Sequence, residues 1–168
     1  MNNVNVLRAL QAELSADVVI LKELYQKYDL LHQKLNRITP DEFDYVALGY
    51  TIVNIYTLIE NYFLRIAKAF ENNLEQSRWH KHLLQRMSLD IPAIRPAFMG
   101  RQDYPFFDEL RAFRHVFRHI YQSELDIDRL LALDSKVPQG VERFYELHRQ
   151  YLQKLETIID QYHQAGGR

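Results

Sequence analysis

The sequence predicts an all-α protein, an up-and-down bundle of four main helices with additional short helices. Two observations support this prediction. Apolar residues recur at intervals of three and four along almost the whole chain, whereas the alternation typical of strands is nearly absent. The five glycines and five prolines cluster at a few breaks, so short links join the helices. Because 47% of the 168 residues are hydrophobic, we expect a single globular domain over residues 1–168.

The first predicted helix carries a seven-residue repeat of apolar side chains. The repeat consists of Leu7, Leu14, Leu21, Tyr28 and Leu35, with Leu10, Leu24 and Leu31 at the interleaved positions. Such a narrow stripe is typical of a helix that packs in a bundle. Asp17 interrupts the stripe. We expect water to reach this carboxylate near a shallow helix end, and a buried partner is the alternative.

The second predicted helix begins at a capping box formed by Thr39-Pro40-Asp41-Glu42. Thr39 would accept hydrogen bonds from the first turn, and Glu42 would reach back to the cap. The apolar face that follows consists of Ile52, Tyr56, Ile59, Phe63, Ile66 and Phe70. Glu60 lies at the boundary of this face, where a carboxylate more often pairs with an arginine than takes part in chemistry. Arg65 or an arginine from residues 111–121 could be that partner.

The rest of the chain alternates helices and breaks. We predict a short helix over residues 76–89, an ordered loop over 90–104, a helix from about Pro105 to Tyr121, a short helical turn after the acidic patch at 124–128, and a last helix from near Pro138. His80 and His82 in the short helix are interpreted as surface residues, with a place in a cleft as the alternative. Arg95 in the loop is a minor candidate for binding phosphate.

Composition excludes several classes of protein. The chain has no cysteine, which rules out a disulfide scaffold, a thiolate metal site and a thiol nucleophile. The N-terminal segment lacks the basic and apolar regions of a signal peptide, and no apolar stretch approaches the ~18 residues that a membrane span needs. We therefore expect a cytoplasmic protein that does not contact a membrane.

Positive charge is concentrated in one part of the chain. The net charge is −1, which argues against a protein that holds nucleic acid by its overall charge. Residues 78–121, however, contain eight Arg or Lys against four Asp or Glu, together with four of the seven histidines. Any anionic partner is therefore expected to bind locally.

The segment 111–121, RAFRHVFRHIY, has two distinct faces when it is drawn as a helix with ~100° per residue. The apolar face holds Ala112, Phe113, Val116, Phe117 and Ile120. The opposite face holds Arg111, Arg114, His115, Arg118, His119 and Tyr121, with no acid among them. Like charges four residues apart destabilise a helix slightly, so a face that concentrates guanidinium groups is a candidate for binding phosphate.

These side chains suggest cleavage of RNA without a metal ion. RNA supplies its own nucleophile, the 2′-hydroxyl, so the enzyme needs a proton-transfer group and a cation for the developing negative charge. Histidine exchanges protons near neutral pH, and arginine stays protonated beside phosphate. We therefore predict that Arg114 and His119 are catalytic. Arg111, His115 and Arg118 are predicted to bind the RNA phosphates.

Spacing alone does not identify this site. An arginine followed by a histidine after four to six intervening residues occurs twice, at Arg114–His119 and at Arg143–His148. This is about as often as chance predicts. His148 lies on the apolar stripe of the last helix, so we interpret it as a core histidine satisfied by a neighbour. His119 lies among cations on a polar face, which favours the first pair.

The segment Arg114-His115-Val116-Phe117-Arg118-His119-Ile120-Tyr121 resembles the Arg-x4-His-x-Tyr signature of HepT-type toxins in the HEPN superfamily. The resemblance covers about residues 45–130. It also includes Tyr56-Thr57-Leu58-Ile59-Glu60-Asn61, Ile66-Ala67, Trp79-His80-Lys81-His82-Leu83-Leu84, Arg95-Pro96 and Glu124-Leu125-Asp126.

The resemblance implies a HEPN-like helical bundle that pairs as a homodimer, with two copies of the motif helix in one cleft where RNA is cut without metal. A transfer RNA is one candidate substrate. The implied setting is a type VII-like toxin–antitoxin system, in which a partner nucleotidyltransferase silences the toxin by AMPylation of the motif tyrosine, here Tyr121. Phosphate added beside Arg114 and Arg118 would fill the anion site.

The segment has two other interpretations. His115 and His119 have the spacing of a helical zinc pair, but the surrounding arginines repel a cation, so we expect neither a metal nor a cofactor. The competing class of protein is a non-catalytic HEPN-like module that binds a partner nucleotidyltransferase or a nucleotide. Such a module would not need His119 and Tyr121 to share a face with the arginines.

Overall fold

The computed structural model describes residues 3–70, 79–92, 94–119 and 124–166. Six helices lie within these ranges: α1 (Asn3–Leu35), α2 (Glu42–Phe70), α3 (Trp79–Met87), α4 (Tyr104–Phe117), α5 (Ile127–Asp134) and α6 (Val137–Gly166). In the same ranges, strand-like pairing is limited to an isolated bridge between Ile91 and Arg95. The protein is therefore an all-α helical bundle, as predicted. None of the described helices is long and apolar enough to cross a membrane.

Helix α1 buries the stripe that its sequence predicts. Leu7, Leu10, Leu14, Leu21 and Tyr28 are buried, and Leu24, Leu31 and Leu35 are half-buried against the core. Asp17 is buried as well, and its Oδ2 accepts a hydrogen bond from Arg65 Nε at 2.8 Å. The expectation that water would reach Asp17 was wrong, because the residue lies well inside a 33-residue helix and pairs with α2.

Helix α2 begins two residues later than predicted, because Asp41 caps it instead of Thr39. Asp44 N donates to Asp41 Oδ1 at 3.0 Å, and Asp41 N donates to Asp44 Oδ2 at 3.1 Å. These bonds form a reciprocal capping box of the predicted kind, displaced along the chain. Aspartate is a better N-cap than threonine, which accounts for the displacement.

Two ion pairs fix α1 and α2 antiparallel. Lys34 at the end of α1 bonds to Asp44 in the first turn of α2 at 3.3 Å. Arg65 near the end of α2 bonds to Asp17 in the first half of α1. The short link over residues 36–41 permits only this arrangement for two long neighbouring helices.

Helix α6 closes the bundle against α1. Arg8 Nη2 donates to Glu156 Oε1 at 2.8 Å, and the Tyr28 hydroxyl donates to Asp134 Oδ1 at 2.5 Å, just before α6 begins. Arg8 precedes Tyr28 in α1, whereas its partner Glu156 follows Asp134 in the chain, so α6 is antiparallel to α1. Its buried face includes Val141, Phe144, Tyr151 and Leu155, which form the apolar stripe of this helix.

A cluster of aromatic rings fills the centre of the bundle and holds α4 in place. Its members are Tyr62, Phe63, Phe98, Phe107, Phe144 and Tyr151, and neighbouring ring centroids lie 5.0–6.2 Å apart. Most of the pairs are edge-to-face, the arrangement that aromatic quadrupoles favour. Phe107 belongs to α4, so the core fixes the helix that carries the predicted motif.

Candidate active site

Helix α4 presents the predicted site residues at its C-terminal end. Pro105 lies in the first turn, where backbone N–H groups have no partner within the helix, so the N–H that proline lacks is not needed. Phe107, Leu110 and Phe113 form the buried face. This anchoring leaves the last two turns of the helix to carry polar side chains at the surface and along the contact with α2.

The helix ends at Phe117, four residues earlier than predicted. Arg118 N still donates to Arg114 O, at 3.1 Å, but His119 N donates to Val116 O at 3.0 Å, which is a bond three residues back. Such a bond tightens the last turn into the 3₁₀ form common at helix ends. Arg118 and His119 therefore lie on a closing turn after the regular helix.

Arg114 lies in the seam between α2 and α4. Its Nη1 donates to Glu60 Oε2 in an ion pair, and its guanidinium carbon lies 5.7 Å from the centre of the Tyr56 ring. The side chains of Arg114 and Glu60 are only 15% and 9% exposed. Arg114 Nε is buried and meets no acceptor among the described residues. The prediction that Glu60 pairs with an arginine is thus confirmed, and the partner is the motif arginine.

The predicted cationic face has acid partners that residues 111–121 alone do not reveal. Arg111 Nε donates to Asp108 Oδ1 at 2.7 Å, and this bond raises the pKa of Arg111. Arg114 pairs with Glu60 from α2. Arg118 and His115 are exposed. The site is therefore less positively charged than the sequence suggested, because two of its three arginines are already neutralised.

The backbone orients the imidazole of His119. Its Nδ1 lies 2.8 Å from the carbonyl oxygen of His115. A carbonyl oxygen can only accept a hydrogen bond, so Nδ1 carries the proton and Nε2 is the basic nitrogen of the neutral ring. His119 is exposed, and its ring centroid lies 5.3 Å from that of His115. The arrangement gives His119 a defined nitrogen for proton transfer.

Packing at the end of α4 depends on a glycine of α2. A Cβ on Gly49 would lie 2.4 Å from the Phe117 ring, so only glycine lets the two helices approach this closely. Val116 was expected on the apolar face, but it is 47% exposed. The reason is that α4 packs along the line of Phe107, Leu110 and Phe113, which leaves Val116 outside the contact.

The second arginine–histidine pair is structural. Arg143 Nε donates to Asp103 Oδ1 at 2.8 Å, and Arg143 Nη1 donates to Glu146 Oε2 at 2.8 Å. His148 is buried, and its Nδ1 lies 2.9 Å from the Tyr62 hydroxyl. Burial lowers the pKa of His148. The interpretation of His148 as a core histidine satisfied by a neighbour is confirmed.

Arg95 is not available to a phosphate. It is 1% exposed, and its Nη2 donates to the carbonyl oxygen of Arg86 at 2.7 Å, near the end of α3. The suggestion that Arg95 reaches phosphate was therefore wrong. His82 is exposed on α3, whereas the side chain of His80 lies outside the described residues, as does Tyr121, the predicted modification site.

Sequence reasoning missed Tyr56 and Asp108 as parts of the site. Tyr56 precedes Glu60 by one helical turn, so the two side chains share a face of α2, and this spacing could have revealed it. Burial, with the nearby Glu60 carboxylate, raises the pKa of Tyr56 well above its usual value, so the phenol stays protonated. In the described ranges, no group of three His, Cys, Asp or Glu residues could hold a metal ion.

Fold and site together define a class of protein: a helical bundle with a buried arginine–glutamate pair in a helix seam and an exposed histidine at the end of the same helix. Residues 47–155 match the sequence profile of the family described as HepT-like protein. The match covers more than half of the chain and includes Glu60 and the motif. The chain therefore belongs to the HepT-like family. Comparison with curated proteins and with solved structures gave no match.

Proposed function

We propose that this protein is a metal-independent endoribonuclease, with Arg114 and His119 as its catalytic residues. The observation that carries the proposal is the orientation of His119 in the turn that directly follows the helix holding Arg114. Its Nδ1 donates to the His115 carbonyl, so Nε2 is the basic nitrogen. Membership in the HepT-like family supports a HEPN-type ribonuclease.

The proposed reaction uses the RNA's own nucleophile. The 2′-hydroxyl attacks the adjacent phosphorus, and His119 Nε2 accepts its proton. The P–O5′ bond breaks and the leaving 5′ oxygen takes a proton from water, which gives a 2′,3′-cyclic phosphate and a 5′-hydroxyl. Arg114 stabilises the negative charge that builds up on the phosphate. Arg111, His115 and Arg118 bind neighbouring phosphates of the RNA. No metal is required, because the nucleophile is already held next to the phosphorus.

The proposal extends to the protein's biological setting. The protein would act in the cytoplasm as the toxin of a type VII-like HEPN/nucleotidyltransferase toxin–antitoxin pair, as a homodimer that brings two α4 ends into one cleft, with a transfer RNA among its candidate substrates. A partner nucleotidyltransferase would silence it by AMPylation of Tyr121. Tyr121 lies two residues after His119 in the sequence, so an adenylate there would place a phosphate near Arg118 and compete with RNA.

The test is an RNA cleavage assay in EDTA, with labelled transfer RNA and total RNA as substrates and the intact mass of the protein measured first. We expect His119→Ala and Arg114→Ala each to lower the rate ~10²–10⁴-fold. The matched controls are Arg143→Ala and His148→Gln, which alter a pair of identical spacing and should cleave as the wild type does. A folded, unmodified wild type that leaves every RNA intact would refute the proposal.

The alternative is a non-catalytic HEPN-like module that binds a nucleotidyltransferase or a nucleotide. One observation favours it: acids already neutralise Arg111 and Arg114, which weakens their attraction for phosphate. The same assay separates the two functions. A module would form a stable complex with the nucleotidyltransferase and would leave RNA uncut, and the His119→Ala substitution would not change this behaviour.

A further inference from the structure

We propose that Glu60 is a positioning residue for Arg114, holding its guanidinium in the seam between α2 and α4 so that Nη2 meets the RNA phosphate. The inference rests on the proposed function, which assigns Arg114 to the phosphate but does not say what orients it. Glu60 itself would not touch the RNA. It would act through the ion pair with Arg114.

The contacts of the guanidinium leave one nitrogen for an anion. Nη1 donates to Glu60 Oε2, and Nε is buried without an acceptor among the described residues. Among the described residues Nη2 makes no hydrogen bond, so both of its N–H groups are the donors that we assign to a phosphate. A buried donor without an acceptor is costly. The buried position of Nε is maintained because the Glu60 carboxylate and the Tyr56 ring, 5.7 Å away, hold the Arg114 side chain in place.

The support for Arg114 is rigid. Glu60 and Tyr56 lie one turn apart on α2, and the neighbouring residues Ile55 and Ile59 are fully buried in the core. Side chains on a helix anchored in this way hold a catalytic group more accurately than side chains on a loop. The close contact of Gly49 with Phe117 sets the separation of the two helices near the same seam.

The charge balance of the pair predicts a specific kinetic signature. Because Glu60 neutralises Arg114, the arginine contributes less to overall attraction for RNA than to alignment at the reacting phosphate. If Glu60 loses its charge, Arg114 becomes a freer and more attractive cation, but it is no longer aligned. We therefore expect the rate of the chemical step to fall while RNA binding is kept or strengthened.

The kinetic test compares Glu60→Gln and Glu60→Asp with the control Asp17→Asn, measuring kcat and KM per folded protein. Asp17 is also a buried carboxylate paired with an arginine, Arg65, but it joins α1 to α2 away from α4. We expect Glu60→Gln to lower kcat about 10–100-fold with KM unchanged or lower, Glu60→Asp to recover part of the loss, and Asp17→Asn to keep the wild-type kcat. A wild-type kcat in Glu60→Gln, or an equal loss in Asp17→Asn, would overturn the proposal.

A second readout does not depend on catalysis. In ¹⁵N NMR spectra, the Arg114 Nε–H resonance, assigned by its loss in Arg114→Lys, should exchange slowly with solvent because Nε is buried. We expect fast exchange in Glu60→Gln and slow exchange in Asp17→Asn. Unchanged slow exchange in Glu60→Gln would refute the positioning role even in an active enzyme. Conversely, suppose that the wild type cuts no RNA while Glu60→Gln still shows the expected fast exchange. That result would support the positioning of Arg114 and would reject only the ribonuclease function.

Discussion

His119 and His148 differ in what surrounds their rings, and this difference separates a candidate catalytic group from a structural one. His119 is exposed on the closing turn after α4, with Nδ1 held by a backbone carbonyl. His148 is 8% exposed and pairs with the buried hydroxyl of Tyr62. Proton transfer to a substrate needs access as well as basicity, so only the first ring suits acid–base chemistry.

The buried state of His148 predicts a pH dependence of stability. Burial lowers the pKa of His148 from its ordinary value of 6.5, with Lys22 and Arg149 adding to the effect. The unfolded chain therefore binds this proton more readily, so the contribution of neutral His148 is present above pH ~6.5 and is lost as the pH falls below it, by at most about 1.4 kcal/mol per pH unit. The free energy of unfolding, measured with denaturant at pH 7 and pH 5, should differ less between the two pH values in His148→Gln than in the wild type. Equal differences would mean that groups other than His148 determine the pH dependence of stability in this range.

Helix α2 supports the candidate site through several of its residues. Its first turn is capped by Asp41, Gly49 meets the end of α4, and Tyr56 and Glu60 support Arg114. These contacts lie at successive positions along one side of the helix. The position of the motif arginine is therefore determined by an element that precedes it by more than 40 residues in the sequence.

The cap of α2 provides a test of where that helix begins. Asp41→Ala removes the acceptor of the bond from Asp44 N and should lower the free energy of unfolding by about 1 kcal/mol, the usual worth of an N-cap. Thr39→Ala, at the position that the sequence pattern favoured, should change it by less than about 0.5 kcal/mol. Denaturant titrations of both variants measure this. A larger loss in Thr39→Ala would place the cap where the sequence pattern put it.

The close approach of α2 and α4 predicts that Gly49→Ala impairs activity. The added methyl group would collide with the Phe117 ring and force the helices apart, at a cost of about 1–3 kcal/mol. Gly140→Ala is the matched control, because its Cβ would meet Phe106 at 2.0 Å on the contact between α4 and α6, away from Glu60. Both variants should lose thermal stability. Only Gly49→Ala should also lose RNA cleavage measured per folded protein, and an equal loss in both would argue against a role for the seam.

Across the whole molecule, positive charge is local and partly cancelled. The net charge is −1, and two of the three motif arginines have acid partners. Nucleic acid cannot be held by a broad cationic surface under these conditions. The ribonuclease function proposed above therefore requires that RNA be recognised through a few contacts at the end of α4.

This distribution predicts a weak salt dependence of RNA binding. With two to three phosphate contacts, log Kd should change with log salt by a slope of about 2 or less for a single-stranded RNA. In a His119→Ala background, Arg118→Gln should reduce the slope by about 0.7, whereas Arg149→Gln on the exposed side of α6 should leave it unchanged. Fluorescence anisotropy at several salt concentrations measures this. A slope of about 5 would indicate a wide cationic surface that the present charges do not account for.

The sequence predicted what depends on local pattern and missed what depends on partners from other elements. The heptad of α1 and the stripe of α6 identified buried faces, because helical periodicity is a local property. Several arginines were candidates for the partner of Glu60, and a buried partner for Asp17 was the weaker alternative, since both contacts join distant parts of the chain. The early end of α4 at Phe117 was also missed, because tightening of a last turn leaves no marker in composition.

The contact between the first turn of α1 and the last turns of α6 has a consequence for chain connectivity. Asn3 Nδ2 lies 3.5 Å from the Tyr162 hydroxyl, and Arg8 pairs with Glu156, so the two helix ends are neighbours in space. A short glycine–serine linker could join them, and a new opening could be made in the exposed link over residues 36–41. Such a circular permutant would keep the six described helices and the contact of Glu60 with Arg114. The order of the helices along the chain should therefore matter less to the site than their positions in the fold.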